Sequence, residues 1–183
     1  GYLNLAINEE HDELIELVSK EGETIDLSLL RKTLHQSNVD SNSVYQWQNH
    51  YVIFGKIKDI GVLQGRLQNK FPSADVKAYH DMFYSFSKRK NCTDTTTARE
   101  WDHVILTANL VSNASKQKEY LDYHHTQFEK WPELSKGFCN ASFQQLLLFK
   151  NGQQLMLVIS IPKGESLDQL NPKTTENNPR VME

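Results

Sequence analysis

The sequence predicts an α+β protein built from two tandem units, and three observations carry that prediction. The order strand, helix, hairpin, helix is met twice along 183 residues. A polar stretch holding Lys88-Arg89-Lys90 and Thr95-Thr96-Thr97 separates the two passes. In the second pass, Asn151-Gly152 sits between two β-rich runs, the preferred composition for a tight hairpin turn.

In the first pass, Tyr2-Leu3-Asn4-Leu5-Ala6-Ile7 alternates with the period of a half-buried strand. Leu14, Ile15, Leu17 and Val18 then fall at helical spacing, with Asn8, Glu9, Glu10 and Asp12 suited to a helix start and Gly22 to its end. Asp26 is placed to cap a second helix carrying Leu27, Leu29, Leu30 and Leu34. Residues 43–47 and 51–57 read as a hairpin around Gln48-Asn49-His50. Val62, Leu63, Leu67 and Phe71 outline a helix ended by Pro72. Residues 75–86 follow as one long aromatic-rich strand. On it Tyr79, Asp81 and Phe83 share one face, and His80, Met82 and Tyr84 the other. Packing is the expected role of that cluster, with His80 free to face a second cavity.

In the second pass, residues 101–111 form a strand centred on Val104-Ile105-Leu106, and residues 112–135 a long helix for which Gly137 suits the stop. Residues 142–149 and 153–161 make the clearest hairpin, joined by Lys150-Asn151-Gly152. Pro162, Gly164, Asn171-Pro172 and Asn178-Pro179 then break the chain repeatedly. Strand–helix–hairpin–helix–strand is the order of a ferredoxin-like (βαββαβ) unit. The open sheet face of such a unit is usually buried on a second one, so two copies in one chain would close a pseudo-dimeric α+β barrel. The second unit is expected to lack its last strand within these residues, either because the chain is truncated or because something else completes that edge. The expected division is a degenerate unit over residues 1–88, a linker over 89–100 and the second unit over 101–183.

Composition restricts the function classes. Hydrophobic residues make up 38 % and charged residues 23 %, enough apolar material for a sizeable core. A net charge of −3 gives no electrostatic footprint for nucleic acid, and no apolar run reaches the roughly 20 residues of a membrane span. Localisation stays open between the cytoplasm and, with an upstream signal peptide removed, export. Cys92 and Cys139 stand in no metal-ligand spacing and permit a disulfide without requiring one. No phosphate-binding glycine loop or nucleophile elbow is present.

The stretch richest in chemistry runs from Lys118 to Leu134. Tyr120 and His124 are four apart and share one helix face, with Trp131 seven residues further on. Tyr and His can exchange protons or hydrogen-bond hydroxyls near neutral pH, and Trp offers a flat apolar surface against which a pyranose can stack. His124 and His125 are adjacent and cannot both face one pocket. A metal at His125 and Glu129 would need a third ligand from elsewhere.

Here the sequence resembles the L-rhamnose mutarotases, through Glu119-Tyr120, His124 and Trp131-Pro132-Glu133-Leu134. The likeness covers about half the chain, from Trp101 to the end. It implies interconversion of the α and β anomers of a 6-deoxyhexose or related sugar, with neither cofactor nor metal. His124 would be the acid/base and Tyr120 its catalytic companion, holding or polarising the substrate. Trp131, Tyr123, His125 and Gln144 would line the substrate. The implied partner is a small sugar, with no nucleic acid and no membrane span, in a monomer or weak dimer. This chain places His124 seven residues before the tryptophan where the family places its histidine four before, so the register lies between His124, His125 and Gln127. Gln144 stands where the family carries a substrate-contacting tyrosine. A non-catalytic carbohydrate- or partner-binding barrel is the other reading.

Overall fold

A computed structural model describes residues 11–109 and 132–170. The strand expected over residues 2–7 lies outside them. The chain divides into two compact units, Gly1–His80 and Asp81–Glu183.

The first unit contains β1 (His11–Val18), α1 (Leu27–Gln36), β2 (Val44–Trp47), β3 (His50–Ile57), α2 (Ile60–Lys70) and β4 (Asp75–Tyr79). Its sheet has the order β2-β3-β1-β4, antiparallel throughout. The run with Leu14, Ile15, Leu17 and Val18, expected as a helix, is instead the inner strand β1. Both of its faces are buried, so apolar residues occur without alternation and imitate helical spacing. Ile15 and Leu17 point to one face and pack with Leu30, Leu34, Leu63 and Leu67 of the helices. Leu14 and Glu16 point to the other.

Asp26 caps α1 as expected, its carboxylate accepting from the amides of Ser28 at 3.0 Å and Leu29 at 3.2 Å. The helix ends with Asn38 in the left-handed region (φ 58). There the Asn38 amide donates to the His35 carbonyl and the Val39 amide to the Leu34 carbonyl, which is a Schellman stop. Asp59 caps α2 through the Val62 amide.

The long strand expected over residues 75–86 is two strands in two sheets. β4 belongs to the first sheet and β5 (Asp81–Ser87) to the second, with His80 between them. A chain can pass from one sheet to the next through a single extended residue, which leaves no glycine or proline in the sequence. A register shift between Met82 and Tyr84 also removes the simple alternation expected there.

The second unit continues with α3 (Lys88–Asn91), β6 (Trp101–Asn109), α4 (Pro132–Asn140), β7 (Gln145–Asn151), β8 (Gln154–Pro162) and α5 (Leu167–Leu170). Its antiparallel sheet has the order β5-β7-β8-β6. Among the described residues no strand pairs with the outer side of β6. The polar stretch after β5 is tied down at several points. A disulfide joins Cys92 to Cys139 in α4, the Lys88 ammonium donates to the Thr96 carbonyl, and the Ala98 amide donates to Gln144 Oε1 at 2.8 Å.

Gly137 does not stop α4, which runs on to Asn140. The stop comes at Ser142 (φ 59), where the Ser142 amide donates to the Cys139 carbonyl and the Phe143 amide to the Phe138 carbonyl. Phe143 stacks on Phe138 with ring centroids 5.7 Å apart. The hairpin turn lies one residue later than expected. Asn151 pairs with Gln154, so Gly152 and Gln153 form the turn, and Gly152 takes the positive φ of 58 at its first position. That is glycine's place in a type II′ turn, whereas Asn-Gly at the centre would be type I′. Among the described residues no helix is long and apolar enough to cross a membrane.

Candidate functional site

A carboxylate in the middle of a sheet is expensive to bury unless it is paired and hydrogen-bonded. Glu16, at the centre of β1, is fully buried and has two partners. His50, the first residue of β3, donates Nδ1–H to Glu16 Oε2 at 2.9 Å. Tyr79, the last residue of β4, donates its hydroxyl to Glu16 Oε1 at 3.3 Å. The register explains the meeting. Glu16 lies opposite Val52 on β3 and Lys77 on β4, so His50 and Tyr79 are each two residues along a neighbouring strand on the same face.

The three side chains differ in access. Tyr79 is fully buried, whereas the His50 side chain keeps 36 % of its surface exposed. Burial, and then the Glu16 charge and hydrogen bond, raise the Tyr79 hydroxyl well above its ordinary value, so it stays a donor at any physiological pH. With Nδ1–H committed to Glu16, a neutral imidazole presents an unprotonated Nε2 outward. That is a hydrogen-bond acceptor or proton acceptor of fixed orientation. Beside the trio, Lys77 Nζ lies 3.5 Å from Asp75 Oδ2.

In the second unit Gln144 is buried, and its polar atoms are engaged internally. Oε1 accepts from the Ala98 amide and Nε2 donates to the Ser142 carbonyl at 2.7 Å. The backbone of Gln144 is held as well, donating to the Ser160 carbonyl and accepting from the Lys88 amide. The residue anchors the disulfide-bearing loop to the hairpin. His103 Nδ1 lies 2.7 Å from the buried Ser160 hydroxyl. The remaining residues singled out in the sequence, Tyr120, Tyr123, His124, His125 and Trp131, lie outside the described residues, as does most of the helix expected over 112–135. His80 is exposed at the junction of β4 and β5. Among the described residues no three His, Cys, Asp or Glu side chains are grouped to hold a metal ion.

No family model, no curated protein and no solved structure matches the chain.

Sequence reasoning missed Glu16 because it set Leu14–Val18 on a helix, where a lone glutamate faces solvent. It passed over His50 by giving that residue to the turn. The available signal was a single acidic residue inside Leu14-Ile15-Glu16-Leu17-Val18, a run too apolar for an exposed face.

Proposed function

We propose that the protein is an L-rhamnose-mutarotase-like isomerase, interconverting the anomers of a 6-deoxyhexose or similar free sugar. The observation that carries the proposal is the ordered set Glu119-Tyr120, His124 and Trp131-Pro132-Glu133-Leu134, lying between strand β6 and the body of α4. In this reading His124 moves the proton between the anomeric hydroxyl and the ring oxygen. Tyr120 holds the opening sugar and Trp131 lines its apolar face. One proton leaves O1 as the ring oxygen gains one, the C1–O5 bond breaks, and reclosure on the other face of the aldehyde reverses both transfers.

The proposal includes descent of the two units from one ferredoxin-like ancestor, and three local features support that. In both units the helix before the hairpin ends in a Schellman stop, at Asn38 and at Ser142. Both hairpins have two-residue turns with positive φ at the first position, Gln48 and Gly152. The partial strand orders β2-β3-β1 and β7-β8-β6 are the same.

A non-catalytic carbohydrate-binding protein is the second reading, favoured by one observation. The amide of Gln144, at the position expected to touch substrate, is spent on Ala98 and Ser142. Polarimetry separates the two. Freshly dissolved crystalline α-L-rhamnose should reach anomeric equilibrium faster in proportion to added protein. Equilibration at the solvent rate, together with saturable binding of the sugar, would establish the second reading instead.

A further inference from the structure

One side chain from each strand of the first sheet forms a row across its end. Trp47 is paired with His50, His50 with Val18, and Val18 with Asp75. Residues directly opposite in a ladder point to the same face. With neighbouring strands about 4.8 Å apart, the row is about 14 Å long. Trp47 stands at one end, 72 % exposed. Asp75 stands exposed at the other end, and Val18 and His50 between them are half-buried. Two residues further into the strands lies a second row of Tyr45, Val52, Glu16 and Lys77. That row fixes the His50 ring through Glu16.

We propose that this row is a carbohydrate-binding shelf for a neutral glycoside of two or three rings. The exposed indole of Trp47 offers an apolar plane for the C–H face of a pyranose. His50 Nε2, which has no partner among the described residues, accepts a hydroxyl proton at a position set by Glu16. The Asp75 carboxylate accepts from a hydroxyl pair on a further ring, beside the Lys77 ammonium 3.5 Å away. The length of the row matches two to three rings set side by side. Three acidic residues on this face, Asp12, Glu16 and Asp75, outnumber its two lysines, Lys56 and Lys77, and disfavour a phosphorylated or otherwise anionic ligand. An imidazole held with its lone pair outward disfavours a purely apolar one. The shelf shares no residue with the segment that holds His124, so it stands or falls separately from the mutarotase reading.

The test uses methyl β-cellobioside and methyl β-maltoside, whose locked anomeric centres cannot mutarotate. Titration into the full chain is followed by the Trp47 indole and His50 imidazole nitrogen signals in NMR. At least one glycoside should shift both signals saturably. Trp47→Ala should weaken that binding about tenfold or more, and Asp75→Asn should weaken it by a smaller factor. Both substitutions are at exposed positions, and an unchanged amide spectrum elsewhere confirms the fold. His124→Ala should leave the affinity unaltered. Glu16→Gln should change the His50 tautomer signature and lower the affinity together. If neither glycoside shifts these signals, or if Trp47→Ala binds as well as the parent, the proposal is overturned.

Discussion

Among the described residues, Gln48 and Ser142 are the two whose side chains suit their backbone least. Each adopts a positive φ, 52 and 59, where a Cβ crowds the following carbonyl. Each is held there by its surroundings. Beside Gln48, the Asn49 side-chain amide donates to the Ser19 carbonyl at 2.8 Å and the Ser19 amide donates back to the Asn49 carbonyl. Gln48→Gly and Ser142→Gly should each therefore stabilise the protein, by about 0.5–1 kcal/mol. A higher denaturant midpoint at unchanged m-value would show it. Tyr79 makes the opposite kind of prediction. Its hydroxyl stays protonated in the folded chain above the ordinary value of 10.0, because of burial first and Glu16 second. Above about pH 10 the unfolded chain releases that proton and the folded chain does not, so fewer protons are bound in the unfolded state and stability falls as pH rises. The slope from this residue should be about 1.4 kcal/mol per pH unit, and Tyr79→Phe should remove it. At neutral pH the same substitution leaves Glu16 with one donor fewer and should cost about 1–3 kcal/mol. Urea titrations of both proteins between pH 7 and 11 check both statements.

At the scale of elements, helix caps and turn residues were the legible part. Asp26 announced α1 and Gly152 marked the second hairpin, because those residues are chosen by local backbone geometry. Strands buried on both faces were not legible in the same way. β1 lost its alternation to burial on both sides, and with it went the sign that Glu16 is interior. The change of sheet at His80 left no mark because an extended residue serves as well within a strand as between two. The candidate site in the first unit was hidden by the same two errors, since its carboxylate lies on β1 and its tyrosine ends β4. The stop of α4 depends on the fit between Phe143 and Phe138, with Phe143 almost wholly buried. Phe143→Ala should lower stability by about 3–5 kcal/mol, read from the thermal or denaturant midpoint. A substitution such as Val62→Ala on the exposed side of α2 should be nearly silent in the same assay.

For the molecule as a whole, the Cys92–Cys139 disulfide encloses a segment with a sequence separation of 47, and that segment contains Tyr120, His124 and Trp131. Closing a loop of that length removes unfolded-state entropy worth up to about 4 kcal/mol. Reduction with dithiothreitol, or a double Cys92→Ala and Cys139→Ala variant, should lower the unfolding free energy by about 2–4 kcal/mol. The same cross-link ties the loop after β5 to the helix that follows the proposed catalytic segment. The proposed function itself rests on that segment, and it is tested most directly by NMR saturation transfer between the α and β anomeric protons of L-rhamnose at equilibrium. If His124 carries the proton, transfer grows with protein concentration and disappears in His124→Ala while His50→Ala retains it. Transfer no faster than in buffer, for rhamnose and for fucose alike, would contradict the proposed function.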